Sequence, residues 1–223
     1  MRDGQKLYTS HANGSTPNGR HGYDCSVDVE ALTEQAEAKA APTPLVAVQG
    51  LANTIDVETG ADLLATSAGL AEWLKASGLV RGPVKVSEGE LERARSMRAA
   101  IRDLMRANSA GGEDRTAAAE LGRHATDHPA PLTSGEADPI GLDLSPATRV
   151  DDVLAQLLGI VFQAGIAGEW PRLKLCLNPD CEWAFYDRSR NRGGSWCRIG
   201  LCGNRLKNRR YRTRLRESSS TKR

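Results

Sequence analysis

Aromatic residues make up only 4% of this 223-residue chain, and just 2 of them are Phe. No apolar run is long enough to span a membrane. The most apolar stretch, Val153–Gly168, is too short and is broken by Gln156 and Gln163, so it reads as a buried helix. No apolar signal segment follows Met1, and the sequence reads as soluble, intracellular and cytoplasmic. No Ser-His-Asp grouping, P-loop or dinucleotide fingerprint occurs, which removes the common signatures of hydrolases and nucleotide-dependent enzymes.

A further scarcity is local. Residues 171–216 hold 13 Lys/Arg against 3 Asp/Glu, whereas residues 1–170 hold 15 against 24. The overall charge of +2 conceals an acidic body joined to a strongly basic end. Such an end suits a polyanion, with nucleic acid before a membrane surface.

Cysteine is also rare but not scattered. Of Cys25, Cys176, Cys181, Cys197 and Cys202, four fall within a 27-residue window. The pattern is Cys176-x4-Cys181, fifteen residues, then Cys197-x4-Cys202. Two close thiol pairs around a hairpin-sized insert fit one tetrahedral zinc ion better than two disulfides or buried free thiols. Four thiolates would close the coordination shell, leaving no open position for catalysis, so this zinc is expected to be structural. The segment Asn178–Asp180 supplies turn residues, Trp183–Asp187 reads as a strand, and Arg190–Ser195 reads as the turn of a hairpin. Cys25 reads as a stray thiol.

Beyond Cys202, seven of the twelve residues 205–216 are Lys or Arg. At helical spacing, Arg205, Arg209, Arg212 and Arg216 share one face, with Lys207, Arg210 and Arg214 on roughly the opposite one. Leu201, Tyr211 and Leu215 form an apolar seam between them, by which this helix would dock on the zinc hairpin. With almost no acidic partners, the positive charge is not neutralised locally, and the expected ligand is nucleic-acid phosphate. Arg188, Arg190, Arg192 and Arg198 add charge from the hairpin loop and beside Cys197. Asn204 could read adenine or cap the helix. Trp183, Phe185 and Trp196 read as core of the module, so few aromatics remain for stacking bases, and duplex DNA is favoured over single-stranded RNA.

Residues 1–43 lack periodicity and read as a disordered leader with a weak helix near 29–40; 217–223 read as a tail. Residues 44–170 read as a mostly helical domain and 171–216 as the zinc module. The segment 44–56 fits a strand or a helix. Ser67 is a candidate N-cap and Gly78 a stop. Leu91, Ala94, Met97, Ile101, Leu104 and Met105 form one apolar stripe, with arginines around the rest of that helix. Ser87 and Glu90 match a capping box. A weaker helix follows near 113–127, then two short strands around 131–132 and 140–144, then a helix over about 150–167. His124 and His128 read as an exposed helix end, and Asn53, Thr54 and Asp56 as structural rather than ligand-binding. The fold class is mainly α (α+β): a helical N-terminal domain, then a small four-cysteine module of knuckle, β-hairpin and basic helix.

The run Cys176–Arg214 resembles the CGNR-type zinc finger, with Cys202–Arg205 spelling the motif. The upstream segments Leu51–Asp56, Asp62–Leu79 and Leu91–Ala107 resemble the ABATE-type domain that accompanies it in bacterial proteins taken to be stress-induced transcription regulators. The resemblance implies that Cys176, Cys181, Cys197 and Cys202 bind the zinc, and that residues 203–214 lie in the DNA-contacting region. One departure is Gly193-Gly194-Ser195, where the family often has basic residues; that stretch is expected to contribute less phosphate binding. The implied function is a zinc-dependent DNA-binding regulator whose upstream domain senses a small-molecule effector, forms a homodimer, or both. The competing readings are an RNA-binding protein and a small-molecule enzyme with an accessory finger.

Overall fold

The computed structural model describes residues 39–134, 140–205 and Tyr211. The expected leader helix, Cys25, the residues Lys207, Arg209, Arg210, Arg212 and Arg214, and the tail all lie outside the described residues. In chain order the elements are α1 (Leu45–Ala52), a 3-10 turn (Leu63–Ala65), α2 (Ser67–Ala76), α3 (Glu88–Ala110), α4 (Arg115–Asp127), β1 (Leu132–Thr133), β2 (Gly141–Leu142), α5 (Val150–Ile166), a second 3-10 turn (Trp170–Arg172), β3 (Leu173–Leu175), β4 (Ala184–Tyr186) and one π-helical turn (Ile199–Gly203). The helical domain and the small sheets match the expected fold class. No helix among the described residues is long and apolar enough to cross a membrane.

The long helix α3 is the axis of the molecule. Its start is fixed by the capping box: the Ser87 side chain accepts from the Glu90 N–H while the Glu90 carboxylate accepts from the Ser87 N–H. Its end is fixed by Gly111, whose φ of 72° is left-handed backbone that glycine adopts without strain. The stripe Leu91, Ala94, Met97, Ile101 and Met105 is buried. It packs with Val46, Val48 and Leu51 of α1, Leu70 and Leu74 of α2, and Val153 and Leu157 of α5 in one continuous core. Residue Gly159 lets α5 approach β2 closely, because a Cβ there would lie 2.4 Å from the Leu142 side chain.

Several local expectations are corrected. The ambiguous segment after Pro44 is helix α1, and all eight of its residues are buried. Thr66, not Ser67, caps α2, its side chain accepting from the Gly69 N–H. The arginines of α3 do not all face water: Arg98 and Arg102 are buried. The Arg98 guanidinium meets both oxygens of Asp62 at 2.5 and 2.8 Å, and Arg102 donates to the Ala52 carbonyl. Likewise His124 and His128 are buried rather than exposed, their rings stacked 6.4 Å apart.

The hairpin also differs from expectation. Strand β4 pairs antiparallel with β3, which precedes Cys176, and not with a strand after residues 190–195. Residue Leu173 faces Tyr186 and Leu175 faces Ala184, so the Cys176–Cys181 knuckle is itself the hairpin turn. Leu173, Leu175, Ala184 and Tyr186 belong to the same core as the helices. At about 1.5–3 kcal/mol for each large apolar side chain fully buried, the hairpin is anchored by the helical domain rather than by metal alone.

Two strands have two open edges, and side chains on or next to the helices close most of both, with the Lys39 carbonyl taking the Tyr186 N–H of β4. On β3, Asn108 donates to the carbonyls of Trp170 and Leu173, and the Ser109 hydroxyl both donates to the Leu175 carbonyl and accepts from its N–H. On β4, the Asn53 side-chain oxygen accepts from the Ala184 N–H at 2.7 Å and its amide donates to the Ala184 carbonyl at 3.1 Å. Gln49, one turn earlier, donates to that same carbonyl and accepts from the Ala41 N–H. Gln49 on the otherwise apolar α1 and Asn53, the residue that caps its end, thus act as a third strand would. Asn53, Thr54 and Asp56 are structural as expected. Thr54 bonds the Leu51 carbonyl, and Asp56 accepts from the N–H groups of Glu58 and Thr59.

Candidate metal centre and basic face

The first thiol pair is built by a tight turn. The Cys176 N–H donates to the Trp183 carbonyl, closing the hairpin, and the buried Asn178 accepts from Cys181 and Glu182 N–H at its backbone oxygen. Glu182 adopts a φ of 46°, a conformation uncommon for a side-chain-bearing residue. Its carboxylate bonds Arg102 at 3.1 Å and Arg106 at 3.0 Å, tying the knuckle to α3. Burial pushes the Glu182 carboxyl up, but the two arginines outweigh it and hold it below the usual range.

The second pair arrives from the far side of the loop. The Leu177 N–H donates to the Ser195 carbonyl, which lays the returning chain against the knuckle. The π-helical turn then brings Cys202 back, its N–H donating to the Arg198 carbonyl. The sulfurs of Cys176, Cys181, Cys197 and Cys202 all lie within 4.8 Å of one another. Two of their separations are 3.6 Å (Cys181–Cys197) and 3.7 Å (Cys197–Cys202). A tetrahedron with zinc–sulfur bonds of about 2.3 Å has edges of about 3.8 Å, so this donor set fits one zinc ion. A disulfide would need about 2.0 Å, and the four cysteines are free thiols.

The ionisation of the cluster also calls for a cation. Hydrogen bonds from Cys181 and Cys197 bring Cys176 down to about 2, while that neighbour pushes Cys181 up to about 12 and Cys197 upward as well. One thiolate is easily held and the others resist, because like charges this close repel. A divalent ion removes that conflict. Cys176 and Cys202 are buried and Cys181 and Cys197 half-buried, and Cys181, Cys197 and Cys202 line a cleft of about 210 Å³.

Arg188, Arg190, Arg192, Arg198, Asn204 and Arg205 are all exposed. Arg188, Arg198, Asn204 and Arg205 have partners within the chain. Arg188 donates to the Ala40 carbonyl and lies over the Tyr186 ring. Arg205 pairs with Glu58 at 2.7 Å across the cleft. Asn204 is not an N-cap acceptor: its amide donates backward to the Gly200 carbonyl. Two members of the expected apolar seam, Leu201 and Tyr211, are 48% and 63% exposed, which corrects the expectation for them, and Leu215 lies outside the described residues. Phe185 is fully buried, with the Lys39 ammonium 4.5 Å from its ring centre, while Trp183 and Trp196 are half-buried.

Gln49, Asn108, Ser109 and Glu182 were not singled out by sequence reasoning, although they place the knuckle. The signal for Gln49 was its polarity inside an apolar helix, four residues before Asn53.

A mostly helical domain that carries a four-sulfur site on an anchored knuckle is a zinc-finger protein in class. Residues 172–215 match the family model of the CGNR zinc finger. Residues 45–164, more than half of the chain, match that of ABATE, described as "Putative stress-induced transcription regulator", and the chain belongs to this family. No curated protein matches the chain.

Proposed function

We propose that this protein is a zinc-dependent, DNA-binding transcription regulator. Cys176, Cys181, Cys197 and Cys202 bind one structural zinc ion, and the closed set of four sulfurs leaves no coordination position for catalysis. The observation that carries the reading is the near-tetrahedral sulfur cluster at the head of the chain's most basic stretch. Four thiolates and one divalent ion leave the centre with a net charge of about −2, which surrounding arginines favour.

In this reading residues 44–170 form the regulatory domain and 171–216 the DNA-binding module. Arg188, Arg190, Arg192, Arg198, Arg205, Lys207, Arg209, Arg210, Arg212 and Arg214 meet phosphates or guanine edges of double-stranded DNA, and Asn204 is a further DNA contact. The regulatory domain senses an effector, pairs with a second copy, or both, in the cytoplasm. Hydrogen bonds from Gln49 and Asn53 to Ala184, from Asn108 to Leu173 and from Arg102 to Glu182 join the two parts, so in this reading a change in α1 or α3 is passed to the knuckle through them.

The test is fluorescence anisotropy with matched duplex DNA and RNA, on zinc-loaded and chelated protein, across a salt series. About six phosphate contacts give a log–log slope near −5 for duplex DNA, abolished by chelation. A slope near zero, or tighter binding to RNA, would overturn the DNA reading.

A further inference from the structure

The loop after β4 is folded around a buried ion pair. Asp187 is 2% exposed and Lys174 4%, and their charged atoms lie 2.9 Å apart. The Asp187 carboxylate also accepts from the Ser189 N–H at 3.0 Å and the Gly194 N–H at 2.7 Å. The Lys174 ammonium reaches the carbonyls of Arg192 and Gly194. Arg172 donates to the carbonyls of Asp187 and Ser189 at 3.0 Å each. Apart from the ion pair itself, these bonds run from the buried pair, or from Arg172, to the backbone of residues 187–194, and the loop adds two of its own, from the Gly193 N–H to the Ser189 hydroxyl and from the Arg192 N–H to the Ser189 carbonyl.

The consequence is a division among the basic residues. Lys174 turns its charge inward, and Arg172 grips backbone. Arg188, Arg190 and Arg192, at alternate positions of the same loop, are exposed, Arg188 with one bond to the Ala40 carbonyl. Arg192 takes a φ of 50°, so the loop is held in a conformation that its own residues would rarely choose. The departure at Gly193-Gly194-Ser195 has a local cause. A Cβ on Gly194 would lie 2.6 Å from an Asp187 carboxylate oxygen, so this position must be glycine for the loop to close.

We infer that Asp187 is a positioning residue, closing the 187–194 loop so that Arg188, Arg190 and Arg192 form a pre-shaped phosphate-binding element separate from the basic stretch beyond Cys202. This rests on the nucleic-acid reading above. Fixing the backbone that carries three long side chains before binding removes part of the entropic cost at the moment of association. Burying an ion pair is a poor way to gain stability, and fixing one conformation is a better account of it.

The test uses full-length zinc-loaded protein and a 20-base-pair duplex. The triple variant R188A/R190A/R192A removes the charges and leaves the closure intact. It should lower the salt slope by about 2–3 and weaken binding roughly tenfold or more at 0.15 M salt. G194A opens the closure while keeping all charges, and should lose a similar share of affinity and slope, with one zinc per chain retained. D187N is the companion variant, read by amide exchange at Ser189 and Gly194. The deciding comparison is G194A placed in the triple background, where it should cause no further loss. An equal loss in both backgrounds, or wild-type affinity and slope for either G194A or the triple variant, would overturn the inference while leaving the DNA reading standing. Failure of the unmodified protein to bind any duplex would overturn both.

Discussion

Replacing Asn53 by alanine should destabilise the protein far more than a single loop-end side chain ordinarily does. Asn53 makes two bonds to one residue, Ala184, which is fully buried in β4. The alanine variant leaves the two halves of that residue in different states. The Ala184 carbonyl keeps the Gln49 amide at 3.0 Å, so it stays paired. The Ala184 N–H loses its partner, and an orphaned buried donor costs about 1–3 kcal/mol. Adding about 0.5–1 kcal/mol for the second lost bond gives a total of about 1.5–4 kcal/mol. For a chain of this size that corresponds to a Tm lowered by on the order of 5–10 °C. The assay is denaturant unfolding of zinc-loaded protein followed by tryptophan fluorescence, with amide exchange at Ala184 to localise the effect. Thr59→Ala, in the exposed turn nearby, is the control and should be neutral. A loss for Asn53→Ala below about 0.5 kcal/mol, within the range of ordinary surface changes, would refute the claim that α1 closes the open edge of β4.

Cys197→Ser should abolish metal binding and duplex binding while the helical body keeps its far-UV circular dichroism, because β3 and β4 stay lodged in the shared core; metal analysis and the spectrum check this together. Glu58→Gln should tighten duplex binding by about two- to fivefold, since it frees Arg205 from an exposed ion pair; anisotropy at fixed salt measures it, and unchanged affinity would contradict a phosphate role for Arg205. His124 is held below its ordinary value by burial first and by His128 next, with Arg123 and Arg93 acting the same way and Asp127 opposing. The unfolded chain therefore takes up that proton more readily than the folded one, and stability falls as pH drops through about 6.5. His124→Gln should flatten this part of the Tm-versus-pH profile between pH 7.5 and 5.5; an unaltered slope would assign the effect elsewhere.

The sequence made the helices legible wherever local chemistry decides them. The capping box at Ser87 and Glu90 and the apolar stripe from Leu91 to Met105 suffice to draw α3. The four cysteines were legible because metal chemistry constrains both residue type and spacing. What spacing could not disclose was partnership across distance. The sequence after Trp183 reads as half of a hairpin, but nothing local says that its partner lies before Cys176. His124 and His128 look like any polar helix end until α3 and α5 pack over them. Arg98 and Arg102 look solvated until Asp62 and Glu182, distant in sequence, arrive to neutralise them. In each case the missing information was a tertiary contact that satisfied a polar group the sequence alone would leave to water.

The most direct test of the central claim is a selection of genomic DNA fragments by purified zinc-loaded protein at physiological salt, sequenced beside a chelated control. The account predicts enrichment of one motif that disappears on chelation. Uniform recovery of all fragments, or enrichment that survives removal of the metal, would contradict it.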